Sequence, residues 1–226
     1  MSLLSLLTPS ICFTCGEQLT AGEDVLCARC AAQITYITPN VGGNIQLRER
    51  IFPRTAPVRL VDAMTIYRHD SVAAKIIRTG KYGGRPELIY YIAKIYAKRL
   101  AESGMLADVD ALQPVPMHWL KRLKRGYNQA ELIAMTISKA TGIPVIKAVK
   151  AVKSHTSQTR QTAQQRTTNL VGNFKASKPT LIQDKHIAVI DDIITTGSTI
   201  SEVVGTVYDA RPRAISILTL AAAPTI

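Results

Sequence analysis

The spacing of apolar residues predicts strands and helices that alternate along most of the chain. Short apolar runs suited to buried strands lie at 58–67, 110–116, 145–152, 186–190 and 213–222. Apolar residues recur at helical spacing in four segments between and after these runs, at about 71–80, 88–103, 129–141 and 200–208. Strands that alternate with helices are typical of a mainly parallel sheet covered by helices on both faces.

Local signals set three of the predicted helix starts. Pro86 suits the first turn of a helix, where its missing N–H would have no intrahelical partner. Asn128 precedes the third helix as a capping residue. Thr199 and Glu202 form a T-x-x-E capping box for the last helix. The last predicted helix begins a few residues after the predicted strand at 186–190. We therefore expect the end of this strand and the start of this helix to lie side by side.

All four cysteines lie near the start of the chain, in the pattern C-x2-C-x11-C-x2-C. They are Cys12, Cys15, Cys27 and Cys30. Two C-x2-C turns can aim four thiolates at one point, which favours a closed structural zinc site. Two disulfides, a thioredoxin-like redox pair and an iron–sulfur site are the alternatives, and the absence of a secretory signal argues against the disulfides.

These patterns predict three parts of the chain. Residues 1–33 form an N-terminal zinc-finger-like module, too short to have a core of its own without a metal. Residues 34–57 contain glycine and proline with little periodicity and are predicted to be a connector. Residues 58–226 form the regular α/β domain.

Size and composition describe an ordinary water-soluble protein. The chain has 226 residues, of which 46% are hydrophobic and 19% charged. No apolar run reaches the ~18 residues of a transmembrane helix. The apolar start, MSLLSLLTPS, has no Lys or Arg before it and runs into the first cysteines. We therefore expect no signal peptide, no membrane insertion and a cytoplasmic location.

Positive charge is concentrated in the middle of the chain. The net charge is +12. Between Asp110 and Asp184 there are twelve Lys and Arg residues and one acid, Glu131. This segregation favours an anionic partner such as phosphate, diphosphate or nucleic acid, although a solvated basic face is the alternative.

The segment VIDDIITTGST combines two kinds of ligand-binding chemistry. It spans 189–199 and places Asp191 and Asp192 at the end of an apolar strand, just before a helix. The helix start offers unpaired N–H groups to a phosphate, and Gly197 allows a close approach of the backbone. Two carboxylates would repel a phosphate but suit a diol. A sugar that carries hydroxyls and a terminal phosphate, such as ribose 5-phosphate, satisfies both halves.

This segment resembles the phosphoribosyl-diphosphate-binding signature of type I phosphoribosyltransferases. More narrowly, the chain resembles the competence protein F (ComF) family, including relatives labelled GntX. The resemblance extends over the paired C-x2-C motif, KYGGRPE, LQPVPMHWLKRLKRGYNQAELIA, SQTRQTAQQRTTNLVGNF and the acid-acid-TTGST segment. It implies a type I phosphoribosyltransferase fold, with a central parallel sheet flanked by helices, a small hood placed somewhere in 60–105, and an N-terminal four-cysteine zinc module.

The resemblance also implies roles for individual residues. Asp191 and Asp192 would bind the ribose hydroxyls. The 5-phosphate would lie on Thr195, Thr196, Gly197, Ser198 and Thr199. The diphosphate would be bound by basic residues of two loops, which are Lys121, Arg122, Lys124, Arg125, Arg160 and Arg166. The first four of these are expected to face no nearby acid, and the last two belong to an expected flexible lid at 153–169. Magnesium would accompany the diphosphate.

The family is associated with natural transformation and the handling of incoming single-stranded DNA. The resemblance therefore implies a phosphoribosyl-diphosphate-binding protein linked to DNA uptake, with single-stranded DNA and a helicase as partners. Trp119 and Tyr127 flank the basic cluster 121–125, as aromatic residues of a DNA-binding groove would, but packing of Trp119 is favoured slightly. The alternatives are an active phosphoribosyltransferase with an unidentified nitrogen acceptor and no DNA role, and a zinc adaptor that no longer binds the ligand. The catalytic residues stay unassigned.

Overall fold

A four-stranded parallel sheet forms the centre of the molecule. The computed structural model describes residues 10–38, 58–152 and 172–224. Its strands are β1 (Val58–Ile66), β2 (Ala111–Pro114), β5 (His186–Ile194) and β6 (Ala214–Ala222). Their order across the sheet is β1-β6-β5-β2. All three pairings between neighbours are parallel, as the alternation of apolar runs predicts. The carboxyl ends of these strands therefore meet at one edge of the sheet.

Helices cover both faces of this sheet. On one face lie α2 (Val72–Tyr82), α3 (Pro86–Ser103) and α5 (Gln129–Thr141). On the other lie α6 (Ser198–Asp209) and a two-stranded antiparallel hairpin of β3 (Val149–Ala151) and β4 (Phe174–Ala176). A short helix, α4 (Trp119–Arg125), stands beside the carboxyl edge of the sheet. The strands are buried on both faces, which explains their nearly continuous apolar runs.

Two of the three predicted helix starts are confirmed. Pro86 lies in the first turn of α3, and the Asn128 side chain accepts a hydrogen bond from the N–H of Ala130 at the start of α5. The T-x-x-E capping box is wrong. Gly197 precedes α6 without a side-chain cap, and the Glu202 carboxylate instead accepts hydrogen bonds from Asn173, beside the hairpin. A tertiary contact has replaced the local one.

The N-terminal residues 10–38 pack directly on the domain. They include a single helical turn, α1 (Ala28–Ala31). Ile34 and three of the cysteines are buried in the same apolar cluster as α2 and α3. The N–H of Ile37 donates to the carbonyl of Met64, and the N–H of Ile66 donates to the carbonyl of Thr35. The start of the predicted connector thus pairs with β1, while its remainder, 39–57, lies outside the described residues.

The predicted position of the hood is wrong. Residues 60–105 supply β1 and the helices α2 and α3, which belong to the central sheet and its covering layer. The small element beside the site is instead the β3–β4 hairpin, whose strands flank the segment 153–171 in the chain. An apolar stripe on a helix has the same spacing whatever surface it packs against, so the sequence did not distinguish the two arrangements.

Candidate functional site

An open cleft lies at the carboxyl edge of the sheet. It encloses about 490 Å³, between the ends of β2 and β5, the start of α6, and the helices α2 and α4. Asp191, Asp192 and residues 195–199 line one part of it. Residues 115–118, which follow β2, line another part. The cleft thus has the position at which parallel α/β sheets bind their ligands.

Backbone geometry orients the two carboxylates. Both residues belong to β5, which continues to Ile194 and is longer than the sequence predicts. Oδ1 of Asp191 accepts the N–H of Asp192 at 2.8 Å, and Oδ1 of Asp192 accepts the N–H of Ile193 at 2.9 Å. Asp192 is 5% exposed. The two acids therefore present fixed acceptors to the cleft.

The environment of Asp191 raises the pKa of its carboxyl group. Burial raises the pKa of Asp191 to about 7, and the negative charge of Asp192 contributes to the rise, while the ammonium group of Lys81 opposes it. Near neutral pH the Asp191 carboxyl can therefore accept or donate a hydrogen bond. Groups with a raised pKa in a cleft are typical of binding and catalytic sites.

The residues after β5 lead into the start of α6. Gly197 has φ 81° and precedes the helix. Such a left-handed backbone is strained for residues with a Cβ, which explains the glycine. The hydroxyl oxygens of Thr196 and Ser198 lie 2.9 Å apart, so one donates to the other. The helix start with its hydroxyl-rich turn opens into the cleft, as expected for a phosphate site.

The four predicted basic residues near α4 divide into two pairs. Lys121 and Arg125 line the cleft. Burial lowers the pKa of Lys121, and the charges of Arg125 and Lys81 lower it further. Arg122 forms a 3.0 Å ion pair with Glu131 and, like Lys124, does not belong to the described cleft lining. The expectation that these four cations face no acid is therefore wrong for Arg122, because α5 brings Glu131 next to it.

Sequence reasoning missed the cations that α2 contributes. Lys81 lines the cleft, and its Nζ lies 2.9 Å from Oδ2 of Asp192. Arg78, one turn earlier, also lines the cleft. Lys81 belongs to KYGGRPE, which the sequence offered only as part of a resemblance. It lies one residue beyond the predicted helix at 71–80. The only signal for a role of Lys81 was its position beside the two glycines of KYGGRPE, to which no function was assigned.

The two remaining predicted basic residues are Arg160 and Arg166. Both lie outside the described residues, as does nearly all of the predicted lid at 153–169. Their contribution to the diphosphate site stays a prediction.

The four cysteine sulfurs converge as the spacing predicts. They lie within 4.8 Å of one another, and the cysteines are free thiols. The sulfurs of Cys15 and Cys27 are 3.7 Å apart. A tetrahedral site with Zn–S bonds of about 2.3 Å requires sulfurs roughly 3.8 Å apart, so the arrangement fits a metal ion. Burial raises the pKa of Cys12, but N–H groups of Cys15, Cys27 and Thr14 outweigh it and bring the pKa to about 6, which favours a thiolate ligand.

The aromatic residues beside the basic cluster have different environments. Trp119 is 65% exposed, so the preference for packing at this position is wrong. Leu123, one turn further along α4, is 76% exposed. Tyr127 is partly buried, and its hydroxyl donates to the carbonyl of Gly80 at 2.6 Å. One aromatic ring of the pair is therefore available for contact with a partner.

Comparison with known proteins agrees with this architecture. The family model of the phosphoribosyl transferase domain matches residues 123–225, which include β5, the carboxylate pair and the start of α6. Two strands of the parallel sheet and the carboxylate side of the cleft thus lie in a segment similar to the phosphoribosyl transferase domain. The chain is 33% identical to competence protein F of Haemophilus influenzae over 117 residues, and it is 22% identical to the DNA utilization protein YhgH of Escherichia coli K12 over 197 residues. The similarity to competence protein F agrees with the sequence resemblance.

The two alignments differ in extent. The first covers 51% of this chain and 50% of the Haemophilus protein, so the chain matches that relative over about half of its length. The second covers 85% of this chain and 82% of the Escherichia coli protein.

Among solved structures, the glutamine phosphoribosylpyrophosphate amidotransferase of B. subtilis gives a TM-score of 0.44 at 18% identity, covering 63% of this chain and 30% of that chain. The purine phosphoribosyltransferase of Pyrococcus horikoshii gives 0.38 at 18% identity, covering 60% and 76%. The similarity to phosphoribosyltransferases therefore rests on the sequence matches.

No helix within 10–38, 58–152 and 172–224 is both long and apolar enough to cross a membrane.

Proposed function

We propose that the cleft binds phosphoribosyl diphosphate and that the protein acts in DNA uptake or utilisation. One observation carries the first part. A carboxylate pair and an open helix start follow one another at the end of β5 and line the same cleft. Carboxylates accept from the hydroxyls of a sugar, and a helix start binds phosphate. Phosphoribosyl diphosphate has both sugar hydroxyls and a phosphate. The match to the phosphoribosyl transferase domain also favours this ligand.

In this proposal each part of the ligand has its own residues. Asp191 and Asp192 accept from the ribose hydroxyls, and residues 195–199 bind the 5-phosphate. The diphosphate lies toward α4, where Lys121 and Arg125 line the cleft. Arg122, Lys124, Arg160 and Arg166 remain proposed contributors to diphosphate binding. Magnesium, when bound, would neutralise diphosphate charge, and the carboxylates of Asp191 and Asp192 could supply oxygen ligands to it.

Calorimetry with phosphoribosyl diphosphate and magnesium tests this proposal. We expect saturable binding by the wild type and a loss of about tenfold or more in affinity for Asp192→Asn, because a carboxylate acceptor becomes an amide. Asp209→Asn is the matched control, since Asp209 is an exposed acid at the far end of α6. Absence of binding by folded wild-type protein would overturn the proposal. Pyrophosphate release with a panel of nitrogen acceptors then separates a transferase from a protein that only binds the ligand.

The proposed DNA role rests on the relatives and on the surface of α4. The names of the two relatives refer to competence and to DNA utilization. The helix α4 carries four cations in seven residues, and its apolar side chains Trp119 and Leu123 are exposed. Cations bind the phosphates of single-stranded DNA, and an exposed aromatic ring stacks on its bases. We place the DNA contact on this helix.

Binding of a fluorescent single-stranded oligonucleotide, followed by anisotropy, tests the DNA contact. Affinity should fall steeply as salt is added, and Trp119→Ala should weaken binding about tenfold. Met135→Ala is the control, because Met135 is an exposed apolar residue on the neighbouring helix α5. A flat salt response, or equal affinities of the two variants and the wild type, would contradict the assignment. A helicase partner in the same process belongs to this proposal.

The remaining assignments follow the same reasoning. The four cysteines hold a structural zinc ion, because a closed set of four sulfurs leaves no position for a substrate. Residues 1–33 are the zinc module, 34–57 the connector and 58–226 the phosphoribosyltransferase-like domain. Cysteines that are not paired in disulfides are typical of a reducing compartment, and on this basis we propose a cytoplasmic location.

A further inference from the structure

The residue Lys81 occupies the point where the acidic and basic halves of the cleft meet. Its Nζ lies 2.9 Å from Oδ2 and 3.2 Å from Oδ1 of Asp192. The ammonium charge also acts on Lys121 across the cleft and lowers the pKa of that residue. Lys81 is therefore within electrostatic reach of both the sugar side and the diphosphate side of the proposed ligand.

The ion pair occupies the groups that a sugar would need. Oδ1 of Asp192 already accepts the N–H of Ile193, and Lys81 lies against both oxygens. The pair is largely buried, with 24% of the Lys81 side chain and 7% of the Asp192 side chain exposed. A diol that binds Asp192 must therefore displace the Lys81 ammonium group or share the Asp192 carboxylate with it. Once displaced, a buried ammonium group needs another anion as its partner.

The backbone beneath Lys81 is fixed, so its side chain must supply any movement. A Cβ at Gly80 would lie 2.6 Å from Cγ1 of Ile89, which indicates that α2 packs closely on α3. The hydroxyl of Tyr127 donates to the carbonyl of Gly80 at 2.6 Å. The lysine side chain has four methylene groups and rotates freely compared with this anchored turn.

We propose that Lys81 is an exchanging cation that makes the cleft selective for sugars bearing an anomeric diphosphate. In the empty cleft it neutralises Asp192. When the ligand binds, Nζ transfers to an oxygen of the diphosphate and leaves Asp192 free to accept from the sugar hydroxyls. A sugar without the diphosphate offers no such anion, so it must compete with Lys81 for Asp192. This inference rests on the proposed binding of phosphoribosyl diphosphate.

The two sugars should respond in opposite directions to loss of the cation. By calorimetry, Lys81→Met should weaken phosphoribosyl diphosphate binding about tenfold or more, because one charge-assisted bond to the diphosphate is lost. The same variant should bind ribose 5-phosphate as well as the wild type or more tightly. Lys94→Met, on the exposed surface of α3, is the control and should change neither affinity. Equal losses for both sugars, or no loss for either, would overturn the exchange.

A measurement on the wild type covers the case in which Lys81→Met fails to fold. Without added magnesium, saturating inorganic pyrophosphate should tighten ribose 5-phosphate binding severalfold, because it draws Lys81 away from Asp192. If pyrophosphate binds yet leaves the ribose 5-phosphate affinity unchanged or weaker, the exchange is wrong. Wild-type protein that binds no phosphoribosyl diphosphate would instead overturn the proposed function itself, which distinguishes the two failures.

Discussion

The N–H of Asn173 donates to Oε1 of Glu202 at 2.7 Å, and its side-chain amide donates to Oε2 at 3.2 Å. Asn173 is 3% exposed and directly precedes β4, whereas Glu202 lies in the second turn of α6. This contact ties the hairpin to the helix whose start lines the cleft. It therefore fixes the start of β4 relative to the proposed phosphate site.

Loss of the hydrogen bonds between Asn173 and Glu202 should destabilise the domain. Glu202→Ala leaves the buried N–H of Asn173 without its charged acceptor, which costs about 1–3 kcal/mol. Glu202→Gln retains one acceptor oxygen and should cost less. Urea unfolding followed by circular dichroism measures both differences. If Glu202→Ala has the same free energy of unfolding as the wild type, the contact between Asn173 and Glu202 does not contribute to stability.

The close crossing of α2 and α3 gives a second prediction. Gly80→Ala places a Cβ 2.6 Å from Cγ1 and 2.8 Å from Cδ1 of Ile89, so we expect a loss of about 1–3 kcal/mol in the free energy of unfolding. Gly205→Ala is the matched control, since nothing lies within 4 Å of the added Cβ on α6. That variant should gain about 0.5–1 kcal/mol from helix propensity. Equal effects of the two substitutions would refute the close packing.

The raised pKa of Asp191 predicts how stability depends on pH. Burial and the charge of Asp192 raise this pKa from an ordinary value near 3.8 to about 7. Between those values the unfolded chain loses a proton that the folded protein keeps, so rising pH favours unfolding by at most about 1.4 kcal/mol per pH unit. The contribution of Asp191 to stability should therefore fall from pH 4 to pH 7, and Asp191→Asn should lack this contribution.

Denaturant unfolding at several pH values measures this difference between the wild type and Asp191→Asn. Asp209→Asn is the control and should follow the wild type, because Asp209 is exposed. Parallel pH profiles for Asp191→Asn and the wild type would exclude the raised pKa.

Removal of one cysteine tests the metal site. Cys27→Ser takes away one of four converging sulfurs, and we expect metal content to fall from about one zinc per chain to a small fraction of that. Because Cys12, Cys27 and Cys30 belong to the apolar cluster that includes α2 and α3, the thermal unfolding temperature should fall as well. Elemental analysis and calorimetry measure the two effects. Gln33→Ala, an exposed change in the same module, should retain the metal.

Much of the sheet was predictable because each strand is marked by the residues of its own short segment. Buried parallel strands are apolar on both faces, so each appears in the sequence as a short apolar run, and the intervening helices repeat at their own period. The boundaries were less predictable. The strand β5 continues through Asp191 and Asp192 to Ile194, because pairing with β6 continues past the two acids. Charged residues normally argue against a buried strand, and here they are accommodated at the cleft.

Functional groups that are neighbours along the chain could be recognised from the amino-acid order alone. The cysteine spacing defines the four-sulfur cluster, and the adjacency of two acids, a hydroxyl-rich turn and a helix start defines one side of the cleft. Contacts between distant segments became visible only in the folded protein. It paired Lys81 with Asp192 across 111 positions and gave Glu202 to Asn173 instead of to its own helix start. Local patterns fix backbone geometry, whereas packing of buried faces decides which distant side chains meet.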